Sequence, residues 1–382
     1  MARRGTATLP LHNGRAPRWL FDRMETLGGA IAEAVIQEYG RGEFLARLAD
    51  PYWFQALGCV IGFDWHSSGV TTTTMGALKE ALDPEEHGVA VAGGKGKTSR
   101  RAPDEIADAA DVLSLGGRRA ERLGDSSRMS AAVDNGCVQD DYELYHHAFV
   151  LSEDGDWCVV QQGMTDADGT ARRYHWLSDS LSSYVERPHA AICSMARRDG
   201  VLDLTAEPSA ETRSASVDLA CEDPARLKRH ARSPSQRSLG DFAGDPQVDL
   251  AMPDRHELRL ADLTERSIDQ LQVAYEYQPD DYEELVGLSG IGRGSLRALA
   301  LVAEVVHGTE SSRTDPAKYA YAHGGKDGTP YPVDRERYDR SIEFLQATLE
   351  GAEVERTQKR QAMERLADLD ERVTDTASAT AN

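Results

Sequence analysis

Five polar clusters in the first half of the chain combine the residue types that phosphoryl chemistry uses. They are Asp64-Trp65-His66-Ser67-Ser68-Gly69, Gln139-Asp140-Asp141-Tyr142-Glu143, Tyr145-His146-His147, Gln161-Gln162-Gly163-Met164 and Arg172-Arg173-Tyr174-His175. Carboxylate oxygens and imidazole nitrogens hold divalent ions, and neighbouring cations steady charge on a phosphoryl oxygen. On that chemistry the expected catalytic set is Asp64, His66, Asp141, Lys95, Arg172 and Arg173. Asp64, Asp141, His146 and His147 are the expected ligands of a Mg²⁺ or Mn²⁺ ion, with Lys95, Arg172 and Arg173 as phosphate clamps. The reaction so implied is metal-dependent phosphodiester hydrolysis.

Other chemistries fit less well. No G-x-x-x-x-G-K-[ST] loop occurs, so nucleotide triphosphate hydrolysis has no support. A serine hydrolase built on Ser67 or Ser68 with His66 lacks the G-x-S-x-G elbow. Asp141 followed by Gln161-Gln162 is reminiscent of a nuclease D…(E/Q)-x-K pattern, but Gly163 and Met164 stand where the lysine belongs.

A second locus lies downstream. Leu285-Val286-Gly287-Leu288-Ser289-Gly290-Ile291-Gly292-Arg293-Gly294-Ser295-Leu296-Arg297-Ala298-Leu299-Ala300 resembles the helix-hairpin-helix motif. Gly290 and Gly292 permit a tight turn, Ile291 plugs the seam between the helices, and the first amides of the second helix form an anion site. Gly290, Ile291, Gly292, Arg293, Gly294 and Arg297, with Lys97, are the expected contacts to DNA phosphates, which fix position without reading sequence. The plainer reading is a helical hairpin whose glycines only turn the chain. A hairpin followed by Asp334 also resembles base-excision glycosylases. Gly294 stands where a lyase lysine would be, however, and a helix cap accounts for Asp334.

Positioning these groups requires helices and a small sheet. Arg18–Leu48, Thr74–Leu82 and Pro103–Leu115 carry helical apolar spacing. Tyr145–Val150 and Trp157–Gln162 flank Glu153-Asp154-Gly155-Asp156 as a β-hairpin, with Ala171–Trp176 as a third strand. The expected fold is α+β: a mixed α/β N-terminal domain over residues 1–202, then a connector over 203–259 with a helical signal at Glu211–Ala220. An all-helical domain with the hairpin follows over 260–350, then a charged helix and solvated tail over 351–382.

Composition narrows the setting. The chain has 382 residues and carries 64 acidic against 43 basic side chains, a formal charge of −21. Only seven of the basic residues are lysine, and this acidic, arginine-dominated balance resembles the proteins of salt-accumulating halophilic archaea. In molar salt the screening length is ~3 Å, so net negative charge does not argue against a nucleic-acid partner. The basic residues gather locally, above all in Gly93-Gly94-Lys95-Gly96-Lys97-Thr98-Ser99-Arg100-Arg101. Five scattered cysteines, the lack of a secretory apolar segment and the lack of a membrane-length apolar run point to a cytoplasmic protein.

Several segments together resemble a prokaryotic, largely archaeal family catalogued as domain of unknown function 763. They are Arg4–Ala7, Leu9–His12, Gly14–Leu20, Asp64–Gly69, Ala92–Lys97, Leu144–His147, Val159–Met164, Ala171–Trp176 and His323–Gly328, and the resemblance extends over about residues 2–350. It implies an identity and no activity. The functional expectation therefore rests on the residues: a DNA-binding, DNA-processing protein of repair or replication with repair-complex proteins as partners, single- or double-stranded DNA being left open. The alternatives are a non-catalytic nucleic-acid-binding module and the glycosylase.

Overall fold

The computed structural model describes residues 18–62, 69–167, 169–194, 197–224, 265–320, 343–345, 347–349 and 362. Its centre is a six-stranded sheet. Strands β1 (Val89–Lys95), β3 (Glu143–Ser152), β4 (Trp157–Met164), β5 (Ala171–Leu177) and β6 (Ala191–Ser194) pair antiparallel in that order. A last short strand, β8 (Tyr319–Ala320), adds in parallel to β6. A separate pair joins β2 (Val138–Gln139) to β7 (Leu202–Asp203). The expected hairpin is β3–β4, closed at Gly155 with φ +84°, where glycine avoids the steric cost of a left-handed turn.

Side chains alternate across the sheet, and both faces are covered by helices. On one face Val89, Ala148, Val150, Cys158 and Val160 pack with α1 (Arg18–Tyr39), α2 (Arg41–Ala49), α3 (Pro51–Ile61) and α4 (Gly69–Ala81). The predicted helix Arg18–Leu48 is two helices, because Gly40 turns the chain at φ +89°. On the other face Ala90, Phe149, Leu151, Trp157, Val159, Tyr174 and Trp176 pack with α6 (Ala102–Val112) and α7 (Gly117–Gly136). The same apolar cluster continues into α8 (Ala210–Ala220), α9 (Glu265–Tyr277), α10 (Tyr282–Gly287) and α11 (Arg293–His307).

The α+β reading holds, and the division of the chain is corrected. A boundary at 202/203 falls inside β7, and α8 is a buried helix of the second cluster rather than connector. The helices after residue 265 complete that cluster, and β8 extends the same sheet.

Helix α7 carries no apolar period, which is why the sequence does not announce it. Its buried stripe is Gly124, Ser126, Ser127, Ser130 and Gly136, with Leu123 and Val133. Small side chains let the helix axis approach the sheet and the hairpin; a Cβ at Gly136 would come 2.9 Å from Leu296.

Candidate functional site

The adjacent doublets of the sequence split between the two faces of the sheet. His147 pairs with Gln161, and Gln161 with Tyr174; His146 pairs with Gln162, and Gln162 with Arg173. Two polar networks result, one on each side.

The network under α2, α3 and α4 is closed. Arg173 Nε donates to His175 Nε2 at 2.8 Å, and its Nη1 reaches Gln55 Oε1 at 3.2 Å and Thr71 Oγ1 at 3.4 Å. Its guanidinium stacks over Phe54, 4.6 Å from the ring centre. Thr71 Oγ1 donates to Gln162 Oε1 at 2.5 Å, and Gln162 Nε2 donates to the Tyr145 hydroxyl. Arg173, His175 and Gln162 are fully buried.

The network under α7 is longer. Asp134 accepts from Gln161 Nε2 at 2.6 Å, from Trp176 Nε1 at 3.0 Å and from His189 Nε2 at 2.5 Å. Gln161 Oε1 lies 2.8 Å from His147 Nδ1, and His147 Nε2 lies 2.8 Å from Ser127 Oγ. This orders the protons. A carboxylate only accepts, so the Gln161 amide must turn its NH₂ to Asp134 and its oxygen to His147. His147 therefore carries its proton on Nδ1, and its Nε2 lone pair faces the Ser127 hydroxyl. Burial lowers the His147 pKa, which favours this neutral imidazole.

The Ser127 end of this chain meets a cavity of about 290 Å³, lined by Ser99, Arg100, Ser127, Arg128, His146, His147 and Gln161 among others. His146 is 1% exposed, and among the described residues neither of its ring nitrogens has a hydrogen-bond partner. Desolvation, helped by the charges of His147 and Lys95, lowers its pKa to about 3, so it is neutral at ordinary pH. The His189 end of the chain borders a second cavity of about 380 Å³, with Arg187, Asp203 and Lys318.

Beside this network, Arg172 Nη1 meets Asp140 at 2.7 Å and Nη2 meets Asp315 at 2.7 Å. Tyr174 adds a hydrogen bond to Asp140 at 2.8 Å. Burial opposes the Arg172 charge, and the two carboxylates outweigh it, raising the pKa above its ordinary value.

The structure thus rearranges the expected site. Arg172 and Arg173 are completely buried on opposite faces, holding core partners rather than presenting a phosphate clamp. Asp141 is exposed at φ +65° and its carboxylate pairs with Arg293 at 3.0 Å. His147 has both nitrogens engaged, and His146, with no hydrogen-bond partner among the described residues, belongs to the Gln162 face of the sheet. Asp64 and His66 lie outside the described residues, as does Asp334. Among the described residues no three ligating groups converge on a point.

The basic glycine loop also has two parts. Gly93 belongs to the fold: its φ is +86°, and a Cβ there would lie 2.2 Å from the His147 carbonyl oxygen. Lys95 and Lys97 are exposed at the end of β1 and in the following 3₁₀ turn, which brings Ser99 and Arg100 to the cavity. Ser127 and Asp134 carry no signal in the sequence because α7 bears no motif, whereas Gln161 belongs to one of the polar clusters without a role that its type or spacing assigns.

Two helices, α10 and α11, flank the glycine turn over residues 288–292, where Gly290 has φ +97°. Ile291 packs half-buried against the second cluster, and Gly290 and Gly294 are exposed. Gly292 is the N-cap of the 15-residue α11, and no side chain caps it. Arg297 is on the exposed side of its first turns. Met129 and Gly136 of α7 support the hairpin at Gly287 and Leu296, while Ser127 and Arg128 of the same helix line the cavity.

No described helix is long and apolar enough to cross a membrane. Comparison with curated proteins and with solved structures finds no match. The model of the family described as "Protein of unknown function (DUF763)" matches residues 5–333, and the chain belongs to that family.

Proposed function

We propose that this chain binds nucleic acid through the hairpin and processes its phosphodiester backbone beside α7. The observation that carries the reading is the turn at Gly290–Gly292. It ends in a 15-residue helix that no side chain caps; Gly294 and Arg297 of its first turns are exposed, and Arg293 beside them pairs with Asp141. An uncapped helix start offers N–H groups and partial positive charge to a phosphate oxygen. The glycines keep side chains out of the way, and a Cβ at Gly290 or Gly292 would point into open space, with no protein atom within 4 Å.

Supporting it, Ser99 and Arg100 of the basic turn line the cavity together with Ser127 and Arg128 of α7, the helix whose Met129 and Gly136 lie against the hairpin. From Ser127 to Gly136, α7 rises about 14 Å, so one backbone could engage both places. Processing, in this reading, uses the protein's own groups.

The test is retention of labelled single- and double-stranded DNA by the purified chain in concentrated KCl, with fragment length read in parallel. Retention that falls in Gly292→Val supports the reading. No retention by the wild-type chain, or equal retention by the variant, overturns the hairpin as the holding element.

A further inference from the structure

We propose that Ser127 is a nucleophile, activated by His147, that cleaves a phosphodiester held in the cavity beside α7. The inference rests on the phosphodiester reading above and names the residue that does the chemistry.

Three observations converge on it. The first is proton order: Asp134 fixes Gln161, Gln161 fixes His147, and the Nε2 lone pair is left 2.8 Å from Ser127 Oγ. A hydroxyl donating to an imidazole whose other nitrogen is held by an oriented acceptor is the arrangement that makes serine nucleophilic. Gln161 and Asp134 are positioning residues in it. The second is access, because Ser127 and His147 both line the cavity, whose 290 Å³ suits a group of single-nucleotide size rather than a duplex. The third is complementarity. Arg100 and Arg128 border the same space and match phosphoryl oxygens.

The reaction balances without a metal or an oxidant. Ser127 Oγ bonds to phosphorus as its proton passes to His147 Nε2. The P–O bond to the leaving alcohol breaks on the side opposite Ser127, and that oxygen takes a proton from water in the cavity. The hydroxide left behind attacks the phosphoserine ester from that same side. Ser127 Oγ then leaves and takes its proton back from His147, so the products are an alcohol and a phosphate monoester.

The experiment treats the full chain in concentrated KCl with a fluorophosphonate, whose phosphorus traps activated serines. Mass spectrometry locates the adduct, and hydrolysis of bis(p-nitrophenyl) phosphate and p-nitrophenyl acetate is followed in parallel. The adduct is expected on Ser127, absent in Ser127→Ala, and formed at least ~100-fold more slowly in His147→Gln, the usual size of a general-base effect. The phosphodiester should turn over with the same dependence. A wild-type chain of normal circular dichroism that takes no label at Ser127 overturns the proposal. Labelling with turnover of the acetate alone overturns its substrate class. If Ser127 is labelled and the phosphodiester is hydrolysed while DNA is not retained, the hairpin reading fails and this one stands.

Discussion

The two faces of the central sheet are built from the same residue types and serve different ends. Under α2–α4, Arg173, His175, Gln162, Thr71 and Gln55 bind one another across two helices and two strands. Under α7, His147, Gln161 and Asp134 make a chain of equal burial, but its last hydroxyl faces a cavity. Both satisfy the rule that buried polar groups find partners. They differ in where the chain stops, and only a chain that stops at open space can act on a ligand. Residue identity alone therefore says little about role in this protein; the terminus of the network decides it.

The largest effect should come from the ion triad beside the open face. Arg172→Met leaves Asp140 and Asp315 as buried carboxylates without their counter-charge, which should cost about 4 kcal/mol of stability. Urea unfolding in concentrated KCl measures it, and Arg172→Met/Asp140→Asn should recover part of the loss. A cost below about 1 kcal/mol would show that solvent reaches the triad and that this face is looser than described.

Acid should act next, through His146. Its folded-state pKa of about 3 lies below the ordinary value near 6.5, so the unfolded chain takes up the proton first as pH falls. The His146 contribution is complete above about pH 6.5 and is lost progressively toward pH 3. Between pH 7.5 and 4.5 this amounts to about 3 kcal/mol at 1.36 kcal/mol per pH unit. His146→Leu should remove that part of the acid sensitivity, as read from paired unfolding curves. An unchanged pH slope would mean that the imidazole is hydrated through the cavity.

How much of this was legible in the sequence follows from what each element is made of. The β3–β4 hairpin and β5 were readable because β-branched and aromatic residues there flank a turn with Gly155. The clusters at 139–143, 145–147, 161–164 and 172–175 stand out in the sequence and fall on or beside the buried sheet, while most of the cluster at 64–69 lies outside the described residues. What alternation hides is the partner on the other side. Arg172 looked like a clamp because Asp315, 143 positions away, is invisible to local pattern. Ser127 and Asp134 were illegible for a different reason: α7 packs with serine and glycine, so its buried face reads as polar. Gly93 misled in the opposite sense, its glycine being required by the His147 carbonyl rather than by a ligand.

The comparison of faces sharpens when stability and chemistry are separated. Thr71→Val keeps shape on the closed face but removes the donor to Gln162 and the acceptor for Arg173, so it should cost about 1.5 kcal/mol. Fluorophosphonate labelling of Ser127 should be unaltered by it. Ser127→Ala should cost less, about 0.5–1 kcal/mol, because His147 loses a partner at the cavity edge, where water can replace it. Loss of Ser127 labelling in Thr71→Val would join the two networks into one unit and end the distinction between them.

The smallest stability change should come from the hairpin, where the effect on binding is the point. Gly292 has φ −147° and a Cβ there meets no protein atom within 4 Å, so valine fits without strain or clash. Gly292→Val should unfold within about 0.5 kcal/mol of wild type, as surface substitutions do. Retention of DNA should nevertheless fall several-fold, because the new methyl groups occupy the approach to the first amides of α11. Gly290→Val offers the contrast: at φ +97° it should cost about 1–3 kcal/mol through backbone strain. A Gly292→Val protein that unfolds normally yet holds DNA as well as wild type would make the turn an element of architecture, with any phosphate contact left to the turn at residues 96–101.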